Sequence, residues 1–400
     1  MKLNKNFKNL KENYLFAEVA RRVEKYNAAF PGSDVISLGI GDVTLPLSPK
    51  AVEACTQAGM DLSTAKGFRG YGPYDGYPFL KNAIVDYYKS RNIEIHADEV
   101  FVTDGAKNGI GNFLDLFDED NVVMIPDPVY PAYVDANVLD GRKIVYCDAT
   151  RENKFLAMPP NKVKADIIYL CSPNNPTGAA YTVKQLQAWV DYALENKAVI
   201  LYDAAYEAYI EGSGVARSIF EVVGARDCAV EFCSFSKMAG FTGVRCGWTI
   251  IPMNSPLNRM WLHRQAIKFN GTSYVVQRMA ESMLRGGYED TKRMVATYKS
   301  NAKIITKKFD ELGIEYTGGK NAPYIWFYCG VDSWEFFDYL LNKARLVCTP
   351  GSGFGKNGNG WIRLTSFNSK ERTEEAVKRF ETFWKEFVEV KNKLTFTAVK

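Results

Sequence analysis

Histidine is nearly missing from this chain, with His96 and His263 the only two in 400 residues. That scarcity removes most histidine-ligated metal sites and leaves a serine-histidine-aspartate triad a poor basis for chemistry, so no metal is expected and both histidines read as surface or packing residues. Also missing is any C-x-x-C pair among the eight cysteines, Cys55, Cys147, Cys171, Cys228, Cys233, Cys246, Cys329 and Cys348, several of which sit inside apolar runs. They read as reduced core thiols of a cytoplasmic protein. No apolar run approaches the length of a membrane span, and the lysine-rich start, Met1 to Arg22, has no apolar h-region or cleavage pattern. Neither sign of charge is in excess: 50 basic residues are scattered among 46 acidic ones, for a formal net charge of +4. A nucleic-acid partner is therefore not expected.

What is present describes an ordinary globular chain, 46% hydrophobic and 24% charged, long enough for one large and one smaller domain. Between about residues 98 and 252, short β-branched runs alternate with amphipathic patterns. Strands are predicted at Val100–Thr103, Val122–Ile125, Lys143–Cys147, Ile167–Leu170, Val199–Tyr202, Val230–Ser234 and Gly247–Ile251. Helices are predicted around Gly105–Phe117, Tyr130–Leu139, Val183–Asn196 and Ser218–Val223. Such alternation predicts an α/β fold with a mostly parallel, seven-stranded sheet wrapped by helices. A long helical region is predicted from Asn258 to Leu312. Beyond it, strands at Tyr324–Tyr328 and Trp361–Leu364 mix with helices at Ser333–Lys343 and Lys370–Val390, as in a separate α+β lobe. The expected division is 1–45 as an N-terminal arm and part of the small domain, 46–290 as the large domain, and 291–400 as the small C-terminal domain.

In open α/β sheets, ligands sit at the carboxyl ends of the strands. Here the strand ends converge on one chemistry. After the first strand comes Asp104-Gly105-Ala106-Lys107 at a helix start, where free N–H groups favour an anion. Later strands lead into Ser172-Pro-Asn174-Asn175-Pro-Thr-Gly178, into Asp203-Ala-Ala-Tyr206, and into Ser234-Phe-Ser236-Lys237, with Arg245 eight positions on. Pyridoxal 5'-phosphate needs a lysine to hold its aldehyde carbon, a carboxylate beside its pyridine nitrogen, a donor near its ring oxygen and a phosphate cradle. Lys237 would anchor the cofactor and, once displaced by a substrate amine, carry the proton at the substrate α-carbon. Asp203 would keep the pyridine nitrogen protonated, while Tyr206 and Asn175 would bond the ring oxygen. Ser234, Ser236, Arg245 and the Ala106-Lys107 backbone would hold the phosphate, and Tyr130 would stack on the ring.

Three other signals carry less. Gly351-Ser-Gly353-Phe-Gly355-Lys356 lacks Walker spacing and reads as a backbone turn. Asn270-Gly-Thr272 fits a glycosylation sequon in a chain with no secretion signal. The aromatic cluster Trp334 to Tyr339 reads as a helix packing its apolar face.

With Asn175-Pro-Thr-Gly178, Asp203-x-x-Tyr206, Ser234-x-Ser236-Lys237 and Arg245, the chain resembles the fold-type I aminotransferases. A resemblance over nearly the full length is to the LL-diaminopimelate aminotransferases. It is carried by Asn13-Tyr14-Leu-Phe, Leu38-Gly-Ile-Gly41-Asp42, Thr103-Asp-Gly-Ala-Lys107, Ser236 through Gly247, Lys268-Phe-Asn270-Gly, Asn321-Ala-Pro-Tyr-Ile-Trp326 and Thr349 through Gly355. The resemblance implies amino transfer between a diaminopimelate-like donor and 2-oxoglutarate in lysine or cell-wall biosynthesis. It implies that Arg363 clamps the substrate α-carboxylate through two parallel bonds. It places Tyr14, Gly41 and Lys107, together with Tyr130, Asn175 and Asn270, around the substrate. Tyr71 and Asn270 match positions contributed by a second subunit, implying a homodimer with shared sites. The family's glutamate-glutamine, whose glutamate meets the donor's distal ammonium, is replaced here by Tyr74-Asp75, which leaves a related transaminase with another donor, such as lysine, as the alternative. A non-catalytic cofactor-binding regulatory module is the remaining alternative, and it would be expected to carry a helix-turn-helix segment at its N-terminus.

Overall fold

The computed structural model describes residues 1–11 and 14–398. Its largest element is a seven-stranded sheet in the order Val100–Thr103, Gly247–Ile250, Ala229–Ser234, Val199–Asp203, Ile167–Cys171, Val122–Asp127, Lys143–Asp148. Six strands run parallel, and Gly247–Ile250 runs antiparallel to both neighbours. Ile167–Cys171 and Ala229–Ser234 are buried at every position. Burial on both faces is why these strands read as continuous apolar runs.

Helices cover the sheet because their start signals and apolar faces agree. In Val183–Asn196 the Thr182 hydroxyl accepts from Gln185 N at 3.2 Å, and Gln185 Oε1 accepts from Thr182 N at 2.9 Å. That reciprocal cap satisfies two orphan donors. Leu186, Trp189, Val190 and Ala193 then face the sheet from one side of the helix. The helices Pro49–Leu62 and Pro78–Lys89, absent from the expected set, each start with proline in their first turn.

A second, antiparallel sheet has the order Thr349–Pro350, Trp361–Thr365, Tyr324–Tyr328, Tyr316–Gly318. Ile36–Ser37 pairs in parallel with Leu346–Val347. Leu15, Val19 and Ile36 share a core with Phe337, Leu341 and Phe383, so the N-terminal helix Leu15–Ala29 packs with the C-terminal elements.

Three predicted elements are corrected. The region Asn258–Leu312 is three helices, Pro256–Lys268, Tyr274–Arg285 and Tyr288–Leu312. The breaks fall at Gly271, with φ +84°, and at Gly286-Gly287. Around Ser218–Val223 only a 3-10 turn, Ile219–Glu221, forms, because Ser218 and Glu221 close a capping box and Gly224 (φ 81°) ends the segment. The helix expected at Gly105–Phe117 is α-helical over Ala106–Phe113 and tightens to 3-10 at Leu114–Leu116.

Candidate active site

The carboxyl ends of the central strands open into a cavity of about 610 Å³ whose far wall comes from the second sheet. Lys237 enters it from the one-turn helix Phe235–Met238, directly after Ala229–Ser234. Ser234 Oγ accepts from Ser236 N at 3.1 Å, which sets this sharp exit from the strand. The Lys237 ammonium donates to the Gly41 carbonyl, and Tyr209 Oη donates to the Lys237 carbonyl at 3.2 Å. Burial pushes the amine down from its ordinary 10.5 to about 8, against the pull of Asp42.

Asp203 ends the central strand, buried. Tyr133 donates to its Oδ2, and Ala205 N donates to Oδ1 at 3.0 Å. Burial raises its pKa, with those two donors opposing the rise. A carboxylate held this way gains most from a cation placed against it.

Asn175 and Arg363 meet from different sheets. Arg363 is fully buried in Trp361–Thr365; its Nη1 donates to Asn175 Oδ1 at 2.7 Å, and its Nη2 to the Gly39 carbonyl at 2.6 Å and Thr349 Oγ1 at 3.2 Å. All these acceptors are neutral, and the Nε has no partner. Among the described residues, then, a buried cation faces the cavity without a counter-charge. The predicted glycine-rich turn is the 3-10 segment Gly351–Phe354, which places the Phe354 ring 4.9 Å from the Arg363 guanidinium.

The anion end is built from Ala106 and Lys107, at the start of helix Ala106–Phe113, and from Ser236 and Arg245. Arg245 Nη1 donates to the Thr242 carbonyl at 3.0 Å and lies 3.4 Å from Ser236 Oγ. It holds a left-handed backbone, φ 69°, a strain typical of functional turns. A Cβ added at Gly105 would lie 2.7 Å from Arg245 Nη2, so glycine lets the guanidinium lie over the helix start.

Tyr130 and Tyr206 also line the cavity, as does Gly41. Tyr14 stands just behind: its hydroxyl is 3.4 Å from that of Tyr130, and the Lys107 ammonium is 5.3 Å from its ring centroid. Asn13 lies outside the described residues. Two expected residues are not brought to this cavity by the chain itself. Tyr71 is 90% exposed and Asn270 is exposed, both outside the cavity wall. Asp75 does not face the cavity either; its carboxylate pairs with the buried Lys81 ammonium.

Tyr133, Tyr324, Asp42 and Phe16 were missed. Tyr133 had a signal, since it comes three residues after Tyr130 at a helix start and so shares its face. Tyr324 had none beyond its place in Asn321-Ala-Pro-Tyr324.

These residues fit pyridoxal phosphate, with a carboxylate whose burial is destabilising until a cation meets it, an anion cradle closed by a required glycine, and a lysine of depressed basicity between them. The family model for aminotransferases of class I and II matches residues 33–380. An LL-diaminopimelate aminotransferase of Desulfosudis oleivorans is 48% identical over 408 aligned positions, covering 96% of this chain and 100% of that protein. One of Methanosphaera stadtmanae is 46% identical, over 95% of this chain and 98% of that protein. The solved structure of L,L-diaminopimelate aminotransferase from Chlamydomonas reinhardtii superposes with a TM-score of 0.91 at 38% identity, over 96% of this chain and 98% of that one. The chain belongs to the class I and II aminotransferases, enzymes that use pyridoxal 5'-phosphate, and among them to the family of the LL-diaminopimelate aminotransferases.

Proposed function

We propose that this enzyme moves an amino group from LL-diaminopimelate to 2-oxoglutarate, or back, in lysine or cell-wall biosynthesis. The observation that carries the reading is Arg363: a buried guanidinium without a counter-charge, in the same cavity as Lys237 and Asp203. A substrate α-carboxylate supplies the missing charge in the two-pronged geometry that arginine favours. The near full-length identity to enzymes of that name supports the donor.

Bound at Lys237, pyridoxal phosphate supplies an electron sink for the pair left when the substrate α-carbon loses its proton. The chain's own residues do the rest. Arg363 and Asn175 hold the α-carboxylate, which fixes the amine and the α-hydrogen relative to Lys237. Lys237, freed from the cofactor by the incoming amine, would take that proton and return it one atom away. Asp203 would hold the proton on the ring nitrogen, Tyr206 would donate toward the ring oxygen, and Tyr130 would stack on the ring. Ser234, Ser236, Arg245 and the N–H groups of Ala106 and Lys107 would hold the phosphate. Donor and acceptor use the site in turn.

Tyr71 and Asn270, exposed here, serve the site of a second copy in a homodimer, in which Tyr14, Gly41 and Lys107 border the substrate. The enzyme works in the cytoplasm; among the described residues no helix is long and apolar enough to cross a membrane. A second reading, a different donor such as lysine, is favoured by one observation. Asp75 is occupied by Lys81, so Tyr74-Asp75 offers no free carboxylate for a distal ammonium. A panel of LL- and meso-diaminopimelate, lysine, glutamate and aromatic amino acids, scored by conversion of the bound cofactor to its amine form, separates the two. Conversion by LL-diaminopimelate supports the first reading; failure with it and success with lysine supports the second.

A further inference from the structure

Tyr324 belongs to the second sheet and Tyr206 lies just past the central strand of the first, yet their hydroxyls lie 2.7 Å apart. Both side chains are buried, and the two rings meet edge to face at 5.1 Å. Between two neutral hydroxyls only one direction of donation holds at a time. When Tyr206 donates forward to the cofactor's ring oxygen, its own oxygen is left to accept, and Tyr324 is the donor within reach.

We propose that Tyr324 is a positioning residue that orients the Tyr206 proton toward the cofactor, forming a directed chain from Tyr324 through Tyr206 to the ring oxygen. The inference rests on the placement of Tyr206 given above. Hydrogen bonds in such a chain polarise one another, so donation from Tyr324 makes Tyr206 the stronger donor. Two further contacts fix Tyr324 in this role. A Cβ at Gly41 would stand 2.7 Å from the Tyr324 hydroxyl, so the residue whose carbonyl receives the Lys237 ammonium must be glycine for the hydroxyl to fit. The Arg363 guanidinium lies 4.6 Å from the Tyr324 ring centroid, where a cation strengthens the phenol as a donor. Burial raises the Tyr324 hydroxyl, Arg363 and Tyr206 pull it back, and the balance stands at about 12. The residue that grips the substrate carboxylate thus also touches the residue that orients the cofactor's donor.

The test is a pH titration of the visible absorbance of the holoenzyme, for the wild type, Tyr206→Phe, Tyr324→Phe and the double variant. Donation to the ring oxygen would drain its negative charge and loosen the proton held on the adjacent Lys237 nitrogen of the holoenzyme, so losing donation raises the midpoint. Tyr206→Phe is expected to raise it most. Tyr324→Phe, which keeps the ring and removes only the hydroxyl, is expected to raise it by about half a pH unit or more, the worth of one modest hydrogen bond. On the Tyr206→Phe background, Tyr324→Phe is expected to move nothing further. A Tyr324→Phe midpoint equal to wild type, beside a shifted Tyr206→Phe, overturns the proposal and leaves the placement of Tyr206 intact. An equal shift on both backgrounds overturns it too, because the effect then bypasses Tyr206. An unshifted Tyr206→Phe removes the placement itself, and the proposal with it.

Discussion

Arg363 Nη1 donates to Asn175 Oδ1 at 2.7 Å, joining a strand of the four-stranded sheet to the turn that follows a strand of the seven-stranded one. The bond orients a guanidinium whose remaining capacity faces the cavity. Arg363→Lys keeps the charge and removes the planar fork. KM for the amino donor and for the 2-oxo acid should then rise together by about 100-fold, the worth of roughly 2–3 kcal/mol in charge-assisted bonds, while cofactor binding persists. Steady-state kinetics with both substrates, alongside the cofactor content, checks this.

The depressed basicity of Lys237 sets a pH dependence for cofactor capture. With the amine at about 8, about half is free base at pH 8, where an ordinary lysine would be less than about 1% free. The capture rate of pyridoxal phosphate by apoprotein, followed by stopped-flow absorbance, should rise with pH to a midpoint near 8 and then level off. A rate still climbing toward pH 10 would contradict the reading.

Asp203 is destabilising in the apoprotein and useful in the holoenzyme. Its burial raises its pKa, so its ionised form is costlier to hold in the folded chain than in the unfolded one. Asp203→Asn removes that penalty and the charge that meets the pyridine nitrogen. The apoprotein should melt at or above the wild-type temperature at pH 8, while amino transfer falls by about 10²- to 10³-fold. Calorimetry of apoprotein and turnover of holoenzyme together check the opposed signs.

Glu231 lies beneath the site in Ala229–Ser234, fully buried. Its Oε2 accepts from Ser218 Oγ at 2.7 Å and Ile219 N at 2.8 Å, and Tyr88 donates to Oε1. Burial pushes it up from 4.5 to about 7. Between those values the folded chain keeps a proton that the unfolded chain releases, so its contribution to stability is full below pH 4.5 and is lost as pH rises through 7. Glu231→Gln should flatten the stability profile across that window, as read from denaturant midpoints at about pH 5, 6, 7 and 8.

The strands and the residues at their ends were legible in the sequence because a strand buried on both faces writes itself as an apolar run, and polar residues just past such a run stand out against it. Asp203 and Lys237 both stood out this way. Tyr133 showed only through its spacing from Tyr130, and Tyr324 not at all. Their roles depend on a hydroxyl reaching another element, Asp203 in one case and Tyr206 in the other, and no local spacing encodes that reach. The engagement of Asp75 by Lys81, six residues on, was hidden similarly: an acid standing where the family has its glutamate-glutamine pair turns out to offset a buried ammonium. The helix breaks at Gly271 and Gly286-Gly287 were visible as glycines, but helical spacing on either side masked them.

The most direct test of the account is glutamate formation from LL-diaminopimelate and 2-oxoglutarate by the purified holoenzyme, run beside Lys237→Ala. The account predicts sustained glutamate release by the wild type and a loss of about 10⁴-fold or more in the variant, which retains neither the anchoring amine nor the proton carrier. Amino transfer by Lys237→Ala at the wild-type rate would contradict it.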